Sequence, residues 1–329
     1  MQLQHYNSQV HYSLPVHCTR ELYAFFSQFT NRTFTQEYVG LLPHGLVFGS
    51  GVVISPDGKT IARDVSIDFR QPFETHWLLH VKRLKRPKLL TGKTAVIAVE
   101  SSPSNYYHWL LDELPRLLIL ERDEFNTMIA SNSNQYNRDA LKLYGFNGKI
   151  ISPNSHFQCD ELVVPSLVGS TGHPTPKVVD LISTFVEPLL NSTSSFGEKI
   201  YISRENAKLR KIFNEEQLWS NLKARGFHKL KLEEMTWVEQ IGAFNHARVI
   251  VAPHGAGLAN LIFCRPGTKV VEFFNRSYVH WCYWQLASIK GLDYRPVVPS
   301  GDEELSHKGS ALISDLQVDC HQIITALSE

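Results

Sequence analysis

The run VIVAPHGAGLANLIF sets His254, Gly255, Ala256 and Gly257 directly after a wholly apolar stretch of the kind that forms a buried parallel strand. Glycines there let the main chain approach a ligand closely. The helix predicted to follow through Leu258 turns its amides, and about half a positive charge, on the same spot. A pyrophosphate suits that seat, and a tight turn that needs glycine only for packing is the alternative. The run departs from the dinucleotide fingerprint because Asn260 stands where the third glycine belongs, and no P-loop lysine follows. NAD binding and Walker-type ATP hydrolysis are therefore disfavoured.

Three further groups carry chemistry. After the strand-like IYIS come Ser203, Arg204, Lys208, Arg210 and Lys211, a loop rich in fixed cations of the type a departing nucleoside diphosphate requires. A solvated basic loop is the plainer possibility. Glu272 closes the strand-like KVVEF, where a carboxylate can accept hydrogen bonds from ribose hydroxyls, unless it simply faces solvent. In SNYYHWLLDELPRLLIL, His108 and Asp112 are four apart and share one helix face, with Asn105 a turn earlier. Such a pair can move protons, or can merely pair on a surface. Glu113 is the rival carboxylate, and Pro115 is expected to break or kink the helix before Arg116. His76 and His80 lack the glutamate of a zinc-protease helix, and no D-x-D triplet offers a divalent metal. Trp281, Tyr283 and Trp284 could stack on a sugar or base, but such clusters are more often core.

The elements that position these residues read as α/β. TAVIAV, ESSPSN and the pattern from Tyr106 onward make a strand, loop and helix, preceded by about 90 residues of short strands and turns around Pro56, Asp57 and Gly58. PTPKVVDLISTFVEPLLN is a helix opened by Pro176, and the polar NSTSSFG behind it is the expected domain boundary, giving 1–190 and 191–329. In the second domain strands alternate with helices, one capped at Asn214 and one by the Thr236–Glu239 capping box. That alternation indicates a doubly wound, Rossmann-like sheet.

Lys plus Arg number 33 against 32 Asp plus Glu, so no global field draws in nucleic acid. The five scattered cysteines contain no C-x-x-C pair and read as reduced, mostly buried thiols. With no signal-like N-terminus and no apolar run near ~18 residues, the expected location is cytoplasmic, free or at the inner face of a membrane.

The stretches NYYHWLLDELPR, IYISRENAKLRKIFNEEQL and EEMTWVEQIGAFNHARVIVAPHGAGLANLIFCRPGTKVVEF resemble glycosyltransferase family 61, a group that includes bacterial capsular polysaccharide proteins, plant xylosyltransferases and O-linked N-acetylglucosaminyltransferases. The resemblance implies a GT-B architecture of two facing Rossmann-like domains, an acceptor-side N-terminal one and a nucleotide-sugar-binding C-terminal one. It implies an inverting transfer from a nucleotide sugar, usually a UDP sugar, to a glycan or lipid-linked glycan, with no metal or other cofactor. Arg204 and the turn from His254 to Leu258 match the donor-diphosphate site, Glu272 the ribose position, and His108 with Asp112 the acceptor-side helix. A GT-B-like nucleotide-sugar epimerase or a non-catalytic glycan-binding scaffold would share the fold, and the former would convert donor without acceptor.

Overall fold

The computed structural model describes residues 7–67, 72–80, 86–190, 196–207, 209–302, 304–307 and 315–328. The chain divides into two compact units, Met1–Asn7 with Thr35–Thr171, and Ser8–Phe34 with Gly172–Glu329. Residues 8–34 and 172–190 thus fold with the C-terminal unit, where the sequence pattern assigned them to an N-terminal domain ending at 190. Five residues of the expected boundary, 191–195, lie outside the described residues.

Strand β1 (Asn7–His11), helix α1 (Arg20–Ser27) and strand β2 (Asn31–Thr35) open the described chain, and β1 pairs with β2 in a two-stranded sheet. Thr19 caps α1 by accepting from the Leu22 amide, and Leu22, Phe25 and Phe26 form its buried face. The sequence pattern did not single out this helix.

In the first unit, β3 (Val39–Pro43), β4 (Leu46–Gly49), β5 (Val52–Ile54), β6 (Lys88–Val96), β7 (Thr127–Ile129), β8 (Lys149–Ile151) and β9 (Ser155–Pro165) form a seven-stranded sheet. Its order is β5-β4-β9-β6-β7-β8, with β3 also on β9. Strands β9, β6, β7 and β8 run parallel, while β3, β4 and β5 are antiparallel additions. The sheet is therefore mixed, and only its parallel part has the expected Rossmann-like character. Helix α2 (Tyr106–His108) passes through a π-helical turn, Trp109–Glu113, into α3 (Leu114–Leu118), and α4 (Gln135–Tyr144) follows β7.

Pro115 does not end this helix. The π-turn ahead of it, in which the Leu114 amide reaches the Trp109 carbonyl, accommodates a ring that can donate no hydrogen bond and would crowd the carbonyl of Leu111. The helix continues, and Arg116 is buried.

From Gly172 the second unit continues with α5 (Pro176–Val186), then alternates β10 (Lys199–Ile202), α6 (Glu215–Lys223), β11 (His228–Leu230), α7 (Trp237–His246), β12 (Val249–Pro253), a 3₁₀ helix (Ala256–Phe263), β13 (Lys269–Phe273), α8 (Cys282–Lys290), β14 (Asp293–Val297) and α9 (Cys320–Ser328). All five strands are parallel, in the order β11-β10-β12-β13-β14. The chain leaves β10 for β11 on one side, then crosses back to β12 on the other. The strand order therefore reverses between β10 and β12, and doubly wound sheets bind ligands beyond the carboxyl ends at such a point.

Buried side chains hold this frame. Tyr201, Leu218, Leu222, Val251, Val271 and Ile323 share one core cluster, each burial contributing about 1.5–3 kcal/mol for a large apolar side chain. The Trp284 indole donates to the Ser13 carbonyl at 2.8 Å and Gln285 Nε2 to the Phe29 carbonyl at 3.0 Å, which ties residues 8–34 into this unit. Trp284 is core, 1% exposed. The capping box at Thr236 and Glu239 forms as its sequence indicates. Asn214 precedes α6 without capping it: its side chain instead exchanges two hydrogen bonds with the main chain of Val318. None of the five cysteines is joined in a disulfide, and Cys159, Cys264 and Cys282 are buried.

Candidate functional site

Strand β10 ends at Ile202 and delivers Ser203 and Arg204 to the switch point from one side, while β12 delivers His254 and Gly255 from the other. Register brings this about, because Tyr201 pairs with Val251. One cavity of about 240 Å³ joins the two strand ends, lined by Ser203, Arg204, Leu232, Gly255, Gly257 and Leu258 among others. The cation loop and the glycine turn, 50 residues apart in sequence, share a single pocket.

Arg204 shows how the seat is built. Its Nε and Nη2 donate to the carbonyls of Arg210 and Leu209, at 3.2 and 2.8 Å, and so fix the guanidinium without neutralising it. A Cβ at position 255 would run into Nη1, so the glycine is required by the approach of a cation. Gly255 has φ 175, extended backbone open to any residue, and its absence of a side chain matters for space alone. Burial, and then the charge of Arg210, pull Arg204 below its ordinary value.

Arg210 occupies the left-handed region at φ 59, a conformation that costs a non-glycine residue about 1–2 kcal/mol. Its guanidinium carbon lies 5.6 Å from the centre of the Tyr278 ring, and its Nε is buried without a hydrogen-bond partner among the described residues. Arg204 lines the pocket, and the strained Arg210 is near enough for its charge to act on Arg204. Lys208 lies outside the described residues, and Lys211 is exposed, its amide bound to Asp315 at 2.8 Å.

The element after the glycine turn is a 3₁₀ helix where an α-helix was expected, and the Leu258 amide is spent on the Gly255 carbonyl. Leu258 thus lines the cavity with its bulk and does not offer its N–H. Asn260, in the place of the fingerprint's third glycine, is fully buried and donates to Gln240 Oε1 at 3.0 Å. Gln240 in turn donates to the Leu232 carbonyl at 2.9 Å, so this amide pair braces the cavity wall. Ser203 also serves the frame, its hydroxyl 2.5 Å from Glu215 Oε1.

His254 and Glu272 form a buried pair. Nδ1 of the imidazole lies 2.6 Å from Oε1 of the carboxylate, while the Tyr294 hydroxyl donates to Oε2 at 2.5 Å. Glu272, the expected ribose position, has no exposed surface. Burial, then Arg210 and Arg204, hold the imidazole well below its ordinary range, and burial pushes Glu272 well above the usual carboxylate range. Phe274, Tyr278, His280 and Tyr283 enclose the ring at centroid distances of 5.3, 5.4, 6.0 and 5.2 Å. Tyr294 was invisible in the pattern. It sits on the neighbouring strand, with Val270 opposite it and Glu272 two residues on, on the same face of the sheet.

In the first unit, His108 Nδ1 and Asp112 Oδ2 are 2.7 Å apart, as their spacing suggested. Thr171, which sequence reasoning missed, donates to the same oxygen at 2.7 Å and stands 3.2 Å from His108 Nδ1. Asp112 is 6% exposed and the His108 side chain 17%, so the imidazole is the more accessible member. Glu113 points elsewhere. It is buried and takes hydrogen bonds from the Ser131 amide and hydroxyl at 2.7 and 2.8 Å, and from the Ser102 hydroxyl. Burial raises its proton affinity. Arg116 is fully buried and donates to the carbonyls of Ile97, Ala98 and Pro165, its value pulled down by burial to about 10. Asn105 caps the helix by accepting from the Tyr107 amide at 3.0 Å. Glu113, Arg116 and Asn105 are thus tied into the frame around the His108–Asp112 pair.

Among the described residues no three His, Cys, Asp or Glu side chains converge to hold a metal ion, and no helix is long and apolar enough to cross a membrane.

A family model, glycosyltransferase 61, matches residues 106–271, from the helix of the His108–Asp112 pair into β13, the strand that carries Glu272. Among curated proteins the chain is similar to the EGF domain-specific O-linked N-acetylglucosamine transferase of Drosophila melanogaster, 29% identical over 98 residues. The proteins of that name from Mus musculus and Gallus gallus are 27% and 28% identical over 101 residues. Each match covers 29% of this chain, and 18% of the Drosophila protein or 19% of the other two, so the chain matches less than a fifth of these relatives' length.

Proposed function

The chain belongs to glycosyltransferase family 61, and from that premise we propose that it moves a sugar from a nucleotide-sugar donor to a hydroxyl of a glycan or lipid-linked glycan acceptor, with inversion and without a metal ion. A UDP sugar is the proposed donor. UDP-N-acetylglucosamine is the first candidate, from the names of the matching transferases, and UDP-xylose the second. The proposed architecture is GT-B. The observation that carries the proposal is the meeting of Arg204 with Gly255 at the carboxyl ends of β10 and β12, where the strand order reverses.

On this proposal Arg204, Arg210 and the main chain at Gly255–Gly257 hold the donor diphosphate and stabilise the charge that grows on it as the sugar departs, a task that metal-dependent sites give to a divalent cation. Each well-placed donor is worth about 2.7–4 kcal/mol in such roles. The proton of the acceptor hydroxyl passes to the His108–Asp112 pair. Asp112, held by Thr171, orients the imidazole and stabilises it once protonated, so the two act as one base.

Thermal denaturation with UDP, UDP-N-acetylglucosamine, UDP-xylose and GDP, in the presence of a chelator, tests the assignment. A ligand at 100 times its Kd adds about 2.7 kcal/mol of stability, enough to raise the melting temperature clearly. Stabilisation by UDP species with the chelator present is expected, and indifference to all four nucleotides would remove the diphosphate seat.

A further inference from the structure

His254 does not line the cavity beside Gly255, yet it is the first residue after β12 and shares the electrostatic surroundings of Arg204 and Arg210. Behind it runs a chain of two short hydrogen bonds, Tyr294 hydroxyl to Glu272 to His254 Nδ1. All three side chains are at least nine-tenths buried. A carboxylate with no exposed surface is costly to place, and a carboxylate bonded to an imidazole is a means of fixing the ring tautomer and of storing a proton.

We infer that Glu272 and Tyr294 are positioning residues that act through His254, and that the Glu272–His254 pair takes up one proton when a nucleoside diphosphate binds at Arg204 and Arg210. This rests on the diphosphate seat proposed above. The groups facing the imidazole are Glu272 and Tyr294 from the sheet, Arg204 and Arg210 from the loop after β10, and Tyr278, His280 and Tyr283 from the segment leading into and beginning α8.

While the guanidinium charges are uncompensated they oppose a further proton, and the pair holds a single one between Nδ1 and Oε1, with Nε2 bearing a lone pair. The arriving diphosphate offsets those charges. A proton from solvent then settles on the pair, which passes from net negative to neutral. His254 becomes a cation hydrogen-bonded to a carboxylate, and its charge adds to those of Arg204 and Arg210 beside the anionic guest. The Tyr294 hydroxyl keeps the carboxylate from rotating away.

Calorimetric titration of UDP into the full chain at pH 8, in two buffers of different ionisation enthalpy, counts the protons exchanged. At that pH the terminal phosphate, with a pKa near 6, is already ionised in free UDP. Wild type is expected to take up about one proton per UDP, its affinity falling up to about tenfold per pH unit of rise. Glu272→Gln can keep both hydrogen bonds, one with its direction reversed, but cannot carry the charge, and its uptake should vanish while its melting temperature shows that it folds. His254→Gln supplies the same test should Glu272→Gln fail to fold. UDP binding by wild type without proton uptake, or uptake that persists in both variants, overturns this inference and leaves the diphosphate seat standing. Failure of wild type to bind UDP overturns both.

Discussion

Gly255→Ala isolates the meeting of Arg204 with the glycine turn better than removal of the arginine does. The backbone at 255 is extended, so alanine introduces no main-chain strain, and the new methyl has one serious conflict, with Arg204 Nη1. The next atoms it meets are Arg204 Cζ at 3.5 Å and the Pro253 carbonyl at 3.9 Å, both ordinary contacts. Nη1 is the far end of a flexible side chain and has to withdraw by roughly 1 Å to reach a normal contact distance. Nε and Nη2 are anchored to the Arg210 and Leu209 carbonyls, so the guanidinium tilts out of register instead of vacating the site.

Stability should change by less than about 1 kcal/mol, because only a flexible side-chain end is displaced. Loss of charge-assisted hydrogen bonds to a diphosphate, at about 1.5–3 kcal/mol each, predicts UDP binding weaker by roughly 10- to 150-fold for one bond. Calorimetric titration of UDP into the variant, beside its melting curve, provides the check. A variant that binds UDP like wild type would show that Arg204 does not contact the phosphates at this turn and would refute the construction of the seat.

Asp112→Asn and His108→Gln should each lower kcat by about 10²–10⁴ with UDP affinity nearly unchanged, and transfer assays set beside nucleotide titrations read both quantities. Ordinary turnover in either variant would remove that residue from the proposed base. Arg210→Gly should leave the melting temperature unchanged or raised, since glycine accepts φ 59 without strain, while weakening UDP at least about tenfold through loss of a charged donor. Glu113→Gln bears on pH. Because burial raises the folded-state proton affinity of Glu113, its stability contribution is complete below the ordinary carboxylate pKa of about 4.3 and is lost as pH rises through the raised value. Melting curves should therefore show Glu113→Gln gaining on wild type as pH climbs from about 4.3 to the raised value and level beyond it, and parallel curves would contradict a shifted Glu113.

The amino-acid sequence by itself determined the local elements around the site and the identity of its cations. The apolar run before His254, the capping box at Thr236 and Glu239, and the four-residue spacing of His108 and Asp112 all depend on neighbours within a few positions, and all appear in the folded chain. Tertiary structure decided which of those groups meet and which are consumed by the frame. Glu113, Arg116, Ser203 and Glu272 look as available in the pattern as Asp112 and Arg204. Burial is a long-range property, and only the packed chain shows Ser131 closing on Glu113, the Pro165 carbonyl on Arg116, Glu215 on Ser203 and Tyr294 on Glu272. Crossover order has the same origin. Parallel pairing of β10 with β12 sets Arg204 against Gly255 across 50 residues, and strand neighbours in a doubly wound sheet follow from how the helices pack around it, not from the residues of either strand alone.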